Sequence, residues 1–404
     1  MSRAAGIGAP VGIYVAGVGL TPVGERWERS LREIALEAIE AARADAGGLR
    51  PQALYVGNML APALSGQTHL GALLADFSGL RGIEATAFEA AGASGGVAVR
   101  HACLALASGA VDSALVVGVE KITDRIGSAV NAALAGAADA DHEAVQGVTP
   151  TAQAALLMRR YMHEYQVPAD GLAGFSLNAH ANAVACEHAI YRRAITAQEY
   201  ARATKVSDPV NLYDAAPVAD GAAALILTRR EAYPPGGPLP AARIAASAVA
   251  TSALALHDQA DPLAFSAAAQ SAARAYAQAG LGPKDIQVFE LHDLFTIYAV
   301  LALEAAGFAG RGDGWRLAQD GQIARGGRIP ISTFGGSKAR GDSGGATGVY
   351  QIGEVALQLQ GRAGAAQVPS VRLGMAQCLG GAGATAVTHI LARDESLRQG
   401  SDSS

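Results

Sequence analysis

A glycine turn in the first quarter of the chain has the arrangement that enzymes use to present a nucleophile. The segment EAAGASGG spans residues 89–96, follows a strand-like run and leads into the helix-like run VAVRHACLALASG. A thiol at the tip of such a turn lies at a helix N-terminus, where the helix dipole lowers its pKa and stabilises the thiolate. The residue at the tip is Gly92, which has no side chain. The turn therefore has the setting for covalent catalysis but lacks the nucleophile that such catalysis requires.

Two other residues beside loops could carry acid–base chemistry. His292 follows the strand-like run IQVFEL and opens a loop, and Asp342 precedes the turn SGGATG and another helix. A partly buried carboxylate can have a raised pKa and take a proton from a hydroxyl group, so Asp342 is a candidate general base. Asp342 could instead cap the helix that follows, and a lone histidine such as His292 is more often structural.

The elements that must position these residues alternate between strands and helices. The runs GIYVAGVGL, ALYVGNML, SALVVGVE and DGAAALILTRR are strand-like, and helical patterns separate several of them. The first helical pattern has apolar residues at helical spacing, at Leu31, Ile34, Ala35, Ala38 and Ile39. This alternation predicts α/β architecture with strands buried on both faces.

The chain divides into two halves that echo each other. We expect an N-terminal half at 1–235, with a helical insertion at about 125–205 over the site, and a C-terminal half at 240–395. The boundary EAYPPGGPLPAAR is too rich in proline and glycine for regular structure. GDSGGATGVYQIGEV resembles GASGGVAVRHACLAL, since each is a glycine turn that opens a helix. A duplication would place the two turns against each other with a site between them. The polar tail, 396–404, is expected to be flexible.

Composition argues against several functional classes. The chain has 404 residues, with 31 Lys and Arg against 36 Asp and Glu, so no basic face for nucleic acid is expected. Cys103, Cys186 and Cys378 are far apart, which favours neither a disulfide framework nor a metal site. The apolar N-terminus is broken by glycine and proline, and no run is long enough to span a membrane. We therefore expect a cytoplasmic protein without a membrane or nucleic-acid partner.

Seven stretches in order resemble the thiolase superfamily over nearly the whole chain, and are most similar to the archaeal and sterol-carrier-protein type thiolases. They are EAAGASGG, VVGVEKITD, HANA, SDPVNLYDAAPVADGAAALIL, ELHDLFTIYAVLALEAAGF, GGSKARGDSGGATGVYQ and AQCLGGAGATAVTHIL. The resemblance implies a five-layered αβαβα fold of two similar halves with a helical loop domain. It also implies a homodimer or dimer of dimers, and often a small OB-fold/zinc-ribbon partner protein. Coenzyme A thioesters would be substrates, with no tightly bound cofactor.

The chain departs from the pattern of this superfamily at decisive places. In such enzymes a cysteine at the tip of the first turn is acylated, and a second cysteine and a histidine handle protons. Gly92 stands at the position of the acylated cysteine, and Asp342 replaces the histidine of the Gly-His-Pro triplet. The usual Asn-x-Ser-Gly-Gly reads STFGG at 332–336. The resemblance still assigns site roles to His292 and Cys378.

Several further residues could contribute to such a site. The loop residues that could supply backbone N–H groups to a thioester oxyanion are Gly92, Ser94, Gly335, Gly336, Gly380 and Gly381. His180, Tyr298 and Tyr350 are possible substrate contacts, although each could serve packing alone. Cys103 lies about three turns along its helix, where a small buried thiol is the usual interpretation, so it is a poor replacement nucleophile.

The sequence is compatible with three functions. The first is an enzyme of lipid metabolism that makes or breaks a carbon–carbon bond in an acyl thioester without an acyl-enzyme, as in retro-aldol cleavage of a 3-hydroxyacyl thioester. Asp342 or His292 would take the hydroxyl proton, and Cys378 or His292 would reprotonate the enolate. The second is an acyltransferase similar to acetyl-CoA acetyltransferases with an altered nucleophile. The third is a non-catalytic thioester-binding subunit of a complex. A single engineered change at Gly92 would not explain Asp342.

Overall fold

The computed structural model describes residues 12–397, which form eleven strands and twelve α-helices. The strands are β1 (Ile13–Leu20), β2 (Ala53–Gly57), β3 (Glu84–Phe88), β4 (Ser113–Glu120), β5 (Lys205–Ser207), β6 (Val210–Asn211), β7 (Gly221–Arg229), β8 (Ala241–Thr251), β9 (Val288–Leu291), β10 (Leu373–Gly380) and β11 (Thr385–Asp394). The α-helices are α1 (Leu31–Asp45), α2 (Leu70–Phe77), α3 (Ser94–Ser108), α4 (Gly127–Ala135), α5 (Pro150–Glu164), α6 (Ala173–Ala183), α7 (Ala197–Arg202), α8 (Ser266–Ala279), α9 (Thr296–Ala305), α10 (Arg316–Gln319), α11 (Gly336–Arg340) and α12 (Thr347–Gln360). The predicted N-terminal lead, and all but the first two residues of the predicted tail, lie outside the described residues.

The two halves of the chain repeat one strand topology. The sheet order is β3-β2-β4-β7-β1-β8-β11-β10-β9. In the first half β2 pairs in parallel with β4, and β4, β7 and β1 follow in antiparallel pairs. In the second half β9 pairs in parallel with β10, and β10, β11 and β8 follow in antiparallel pairs. The equivalence extends to the helices, since α1 connects β1 to β2 and α8 connects β8 to β9. The prediction of two similar halves is confirmed.

The helices and the two halves of the sheet form five layers. α1 and α2 cover the outer face of the first half, and α8 covers the outer face of the second. α3 and α12 lie in the middle and contact strands of both halves. The two half-sheets also meet at one edge, where β1 pairs with β8 through Tyr14–Arg243 and Val15–Ala242. The predicted αβαβα order is therefore confirmed, with a short seam that joins the half-sheets into one nine-stranded sheet.

Local sequence explains why the outer helix α1 and the central strand β4 form. The helix α1 begins after Ser30, whose backbone N–H donates to the Glu33 carboxylate at 2.7 Å. The apolar residues predicted for this helix are all buried against the sheet. All eight residues of β4 are buried, as expected for a strand that is covered by helices on both faces.

The segment that was predicted as a helical insertion contains α4, α5, α6 and α7. Its longest helix, α5, starts at Pro150 behind Thr149, whose hydroxyl accepts the backbone N–H of Ala152 at 3.2 Å. Residues of α4 and α5 reach the loops at the ends of the central strands. Within residues 12–397, no helix is long and apolar enough to cross a membrane.

A buried ion pair ties α11 to α12 on either side of the loop that holds Asp342. The Arg340 guanidinium donates to Glu354 Oε2 at 2.8 Å, and both side chains are at most 1% exposed. His188 Nε2 lies 2.9 Å from the other oxygen of Glu354. Although burial opposes ionisation, Arg340 and His188 hold the pKa of Glu354 below its usual range.

Removing one partner of this pair should be costly, because it leaves an uncompensated charge in the interior. We expect Glu354→Gln to lower the free energy of unfolding by about 3–5 kcal/mol in chemical denaturation. The control is Arg81→Ala, which removes the surface pair between Arg81 and Asp76 and should cost at most about 1 kcal/mol. An equal, small effect of both substitutions would contradict the account of this pair.

Candidate functional site

A cavity of about 230 Å³ lies where loops from the two halves meet beneath the insertion. Five of the residues predicted for the site line it: Gly92, His292, Tyr298, Asp342 and Gly381. The N-terminus of α3 points toward this place, because the helix begins at Ser94 immediately after the turn. Positive partial charge from that helix end favours a negatively charged group in the cavity.

Gly92 is closely packed on the side where a side chain would project. A Cβ atom on Gly92 would lie 2.8 Å from the backbone oxygen of Leu379 and 2.9 Å from Cε1 of His292. Real Cβ atoms do not approach other atoms so closely, so the histidine ring and the Leu379 carbonyl occupy the space that a side chain at residue 92 needs. The turn is shaped around a glycine.

His292 faces this turn as a neutral base. Its side chain is 2% exposed, and burial, with a contribution from Arg340, lowers its pKa to about 4 against the opposing effect of Asp293. The ring edge formed by Cε1 and Nε2 is directed at Gly92. Among residues 12–397, its Nδ1 has no hydrogen-bond partner. A neutral imidazole with an unpartnered nitrogen can accept or relay a proton at neutral pH.

Asp342 presents a buried carboxylate to the same cavity. It is 3% exposed, and burial raises its pKa although the Thr347 hydroxyl donates to Oδ1 at 2.9 Å. Its backbone is fixed, because its N–H donates to the Pro217 oxygen at 2.8 Å and its oxygen accepts from Ala219 at 2.9 Å. The Asp342 side chain bonds to Thr347, the first residue of α12, and the backbone N–H of Gly344, which begins the 3₁₀ turn before α12, also lowers its pKa. Asp342 therefore also helps to organise the start of this helix, as the capping alternative predicted. A fixed carboxylate with a raised pKa suits general-base catalysis.

Tyr298 and the insertion close the cavity. Tyr298 is 1% exposed, and burial raises its pKa, so its hydroxyl remains protonated and can donate a hydrogen bond. Its ring is held edge-on by Phe265 and Phe295 at centroid distances of 5.5 and 5.2 Å. The insertion contributes Asn131, Leu134, Ala137, Ala138, Pro150, Thr151 and Gln153 to the lining. The wall is thus mixed, with apolar and uncharged polar side chains around the acid–base groups.

Cys378 lies behind the cavity and does not line it. Its Sγ points between α3 and α12, where it packs against Gly96 of α3 and Gly348 of α12. The sulfur is 3.9 Å from the backbone oxygens of Ala93 and Val387. This placement offers no direct route from Cys378 to a ligand, and its proton-handling role stays a prediction.

The three thiols should be unreactive in the folded protein. Burial raises the pKa of Cys103, Cys186 and Cys378 to about 12, and each is at most 2% exposed. Only the thiolate reacts with alkylating agents, so we expect iodoacetamide at pH 8 to label none of them within minutes. The unfolded protein, as control, should take up one label at each cysteine. Rapid labelling of Cys378 in the native state would contradict this placement.

The remaining loop residues mostly hold the turns in place. The Ser94 hydroxyl donates to the Ala91 oxygen at 2.6 Å and accepts from the Ala90 N–H at 2.9 Å, which pins the first turn. Gly380 packs under the Ala90 oxygen, and Gly335 packs against Ala183. Gly336 likewise packs against the Asp293 carboxylate, which accepts from the backbone N–H of Ser337 at 2.6 Å. None of Ser94, Gly335, Gly336 and Gly380 is part of the cavity lining among the described residues.

Two of the predicted substrate contacts also lie elsewhere. Tyr350 is fully buried, and its hydroxyl donates to the Thr21 oxygen at 2.9 Å, which gives it a structural role outside the cavity. His180 lines a second, neighbouring cavity and not the first. The sequence placed these residues near the motifs that resemble the thiolase superfamily, but it could not show the direction of their side chains.

Sequence reasoning missed Glu120, a buried carboxyl group beneath the cavity. It is 0% exposed at the end of β4, and burial raises its pKa to about 8 although it accepts the backbone N–H of Leu60 at 3.1 Å. Asp342 lies close enough for its charge to raise this pKa further. A lone acidic residue that ends an otherwise apolar strand was the available signal.

The chain matches two family models that together cover most of its length. Residues 13–231 match the thiolase N-terminal domain, and residues 248–393 match a thiolase C-terminal domain-like model. Their junction falls between 231 and 248, where the proline- and glycine-rich segment lies.

Relatives of this chain carry different activities in their names. An acetyl-CoA acetyltransferase of Methanothermobacter thermautotrophicus is 41% identical over 94% of this chain and 99% of its own. A 17-hydroxy-3-oxo-4-pregnene-20-carboxyl-CoA lyase of Mycobacterium tuberculosis is 29% identical over 84% of this chain and 90% of its own. The solved structure of an Ltp2-ChsH2(DUF35) aldolase superposes with a TM-score of 0.82 at 24% identity, over 96% of this chain and 99% of that one, which shows a shared fold.

Proposed function

Because this chain belongs to the thiolase family, we propose that it is an enzyme that makes or breaks a carbon–carbon bond in an acyl-CoA without a cysteine acyl-enzyme. The observation that carries the proposal is the closed space beside Gly92, which His292 and the Leu379 carbonyl fill. No cysteine is among the described residues that line the cavity. Acyl transfer through a cysteine thioester needs a thiol, and the described residues that line this cavity supply none.

The favoured reaction is retro-aldol cleavage of a 3-hydroxyacyl thioester. A base removes the proton of the 3-hydroxyl group, the bond between C2 and C3 breaks, and the hydroxyl carbon leaves as an aldehyde or ketone. The electron pair of the broken bond forms a thioester enolate, which takes a proton at C2 and becomes a shorter acyl thioester. No oxidant, reductant or metal is required for this balance.

The cavity contains groups suited to each proton movement. Asp342 serves as the base, because its carboxylate has a raised pKa and faces the cavity. His292 is neutral and lies beside Gly92, where its ring can relay the proton held by Asp342 to C2 of the enolate, which returns both side chains to their starting states. Tyr298 donates to the substrate oxygen, and backbone N–H groups near Gly92 and Gly381 stabilise the enolate. Cys378 is not assigned a step, since its sulfur faces away.

The names of the relatives support two readings of the chemistry. The mycobacterial lyase favours bond cleavage, whereas the archaeal acetyl-CoA acetyltransferase favours acyl transfer by an altered nucleophile. The buried thiols weigh against the second reading, since burial raises the pKa of each to about 12. A non-catalytic thioester-binding subunit is the third candidate, and the acid–base pair in the cavity weighs against it.

The proposed assembly is a homodimer that works with a small partner protein. The edge strand β3 pairs with β2 alone among the described strands, so its other edge can accept a second copy. The aldolase neighbour is named with a DUF35 partner, which supports a similar partner here.

The proposal is tested by direct product analysis. Purified protein is incubated with a series of 3-hydroxyacyl-CoAs, and the reaction is followed by chromatography and mass spectrometry. The expected result is a shorter acyl-CoA together with an equimolar aldehyde or ketone. Thiolysis of 3-oxoacyl-CoA by free CoA with no cleavage of hydroxyacyl substrates would favour the acyltransferase reading instead.

A further inference from the structure

The insertion brings a buried amide to the reaction cavity and holds it with a carboxylate. Gln153 of α5 lines the cavity and is 4% exposed, and its Nε2 donates to Glu143 Oε1 at 3.1 Å. Glu143 is 6% exposed and is not among the described residues that line the cavity. A carboxylate can only accept hydrogen bonds, so it holds the nitrogen end of the amide. The oxygen of Gln153 is therefore the end that Glu143 leaves free.

The Glu143 carboxylate is itself fixed by backbone groups from two parts of the chain. Its Oε2 accepts the N–H of Asp139 in the insertion at 3.1 Å, and its Oε1 accepts the N–H of Leu256 in the C-terminal half at 2.9 Å. The orientation of the Gln153 amide is thus set before any ligand binds. A preorganised polar group loses little conformational entropy when it recognises a ligand, which strengthens its contribution to selectivity.

The oxygen of Gln153 is an acceptor without a donor. Among residues 12–397, no N–H or O–H group bonds to Oε1, and protein atoms do not seal it off from the cavity. The other uncharged polar side chains that the insertion contributes are more accessible, since Asn131 is exposed and Thr151 is half-buried. An apolar ligand over Oε1 would remove its hydrogen bonds to water without replacing them. The position therefore favours a ligand that presents a donor.

The 3-hydroxyl group is not this donor in the proposed reaction. Its single proton goes to Asp342, so it cannot also be donated to Gln153. With C2 and C3 beside Asp342 and His292, the chain beyond C3 is the part of the acyl group that can extend toward the insertion. Asp342 is the only carboxylate among the described residues that line the cavity, so a cationic donor would lack a counter-charge there. A neutral O–H group on the chain is the donor that fits.

We infer that Gln153, held by Glu143, selects acyl thioesters that carry a second hydroxyl group on the chain beyond C3. This hydroxyl group donates to Gln153 Oε1, whereas a chain without it leaves the oxygen covered and unpaired. The inference rests on the proposed function, because it places C2 and C3 beside Asp342 and His292. Retro-aldol cleavage of such a substrate releases a hydroxyaldehyde or hydroxyketone together with the shorter acyl thioester.

Rates of cleavage of matched substrates test the inference. The substrates are 3-hydroxypentanoyl-CoA, 3,4-dihydroxypentanoyl-CoA and 3,5-dihydroxypentanoyl-CoA, and since cleavage of each gives acetyl-CoA, one assay compares them. The unaltered protein should prefer one of the dihydroxy substrates by about tenfold or more in kcat/KM. In Gln153→Met this preference should disappear, because a thioether of similar length is only a weak acceptor. Gln153→Ala makes the same test if Gln153→Met does not fold.

Glu143→Gln tests whether the carboxylate positions the amide. The new side chain can donate as well as accept, so the Gln153 amide can turn, and the preference for the dihydroxy substrate should shrink. A merely structural role would change the rates of all three substrates by the same factor. Gln270→Met, at an exposed position of α8, is the matched control and should leave every kcat/KM unchanged. An unchanged preference in Gln153→Met would overturn the inference while cleavage itself still stood.

Binding of thioesters that cannot be cleaved separates recognition from reaction. Pentanoyl-CoA, 4-hydroxypentanoyl-CoA and 5-hydroxypentanoyl-CoA lack the 3-hydroxyl group, so their Kd values from calorimetry report recognition alone. Tighter binding of a hydroxylated thioester that is lost in Gln153→Met would support the inference even if the proposed cleavage failed. If Gln153→Met weakens binding of all three alike, the donor is an N–H group of the pantetheine arm, and the inference is wrong.

Discussion

Asp342→Asn should reduce cleavage of a 3-hydroxyacyl-CoA by about 10²–10⁴-fold, because the amide cannot take the hydroxyl proton. Asparagine has the same shape and can still accept the Thr347 hydrogen bond through its carbonyl oxygen. Burial raises the pKa of Asp342, so the ionised carboxylate destabilises the fold at neutral pH and the neutral amide should not. The thermal midpoint should therefore stay the same or rise while kcat/KM collapses.

Two controls distinguish a catalytic role of Asp342 from a structural one. Asp313→Asn changes an exposed carboxylate that does not line the cavity and should leave kcat/KM unchanged. Thr347→Val removes a donor that lowers the pKa of Asp342, so the acidic limb of the pH profile should move to higher pH. If Asp342 merely organises the start of α12, Asp342→Asn would leave the rate within a few-fold of the unaltered enzyme and would change stability instead.

Gly92→Cys should impair cleavage strongly without creating a thiolase. The new Cβ would lie within 2.9 Å of both the Leu379 oxygen and the His292 ring, so the ring or the turn must move. Overpacking of this kind costs about 1–3 kcal/mol of stability and displaces a group that acts in the reaction. We expect kcat/KM for hydroxyacyl cleavage to fall at least about tenfold, with no gain of thiolysis.

The effect of the thiol is separated from that of the added carbon by Gly92→Ala. Both variants introduce the same Cβ, so both should lose cleavage to a similar extent. Gly24→Ala serves as a second control, because a Cβ at Gly24 would meet no atom within 4 Å. Acylation of the introduced cysteine, with new thiolysis activity, would show that the cavity is still an acyl-transfer site that has merely lost its nucleophile.

The sequence predicted the fold well because its signals are local and repeated. The glycine turns before α3 and α12, and the apolar runs of β1 and β4, set the architecture without information about side-chain contacts. The equivalence of the two halves followed from two similar turn-and-helix segments. The pairing between β1 and β8 could not be predicted, because a contact of only two residue pairs leaves no pattern in the sequence.

The site was predicted in part, and the misplacements share one cause. Gly92, His292 and Asp342 meet in the cavity because each lies in a loop next to the end of a strand or a helix. Cys378 lies on β10 close to the cavity, but its side chain points away from the cavity, toward α3 and α12. One residue of register decides this orientation, and loop motifs do not reveal it. The positions of the insertion residues depend on long-range packing, so motifs could not reveal them either, whereas Glu120 was marked as a lone acidic residue at the end of an apolar strand.

The central claim is that bond cleavage proceeds without an acyl-enzyme, and intact-protein mass spectrometry during turnover tests it most directly. The protein is mixed with a 3-hydroxyacyl-CoA that it cleaves, and the reaction is quenched in acid while product is forming. The intact mass of the protein is then measured. Acetyl-CoA is the parallel sample. Unmodified protein is expected in both samples, while shorter acyl-CoA accumulates in the first. An acyl adduct that forms and decays at the rate of turnover, mapped to Cys378 or Cys103, would contradict it.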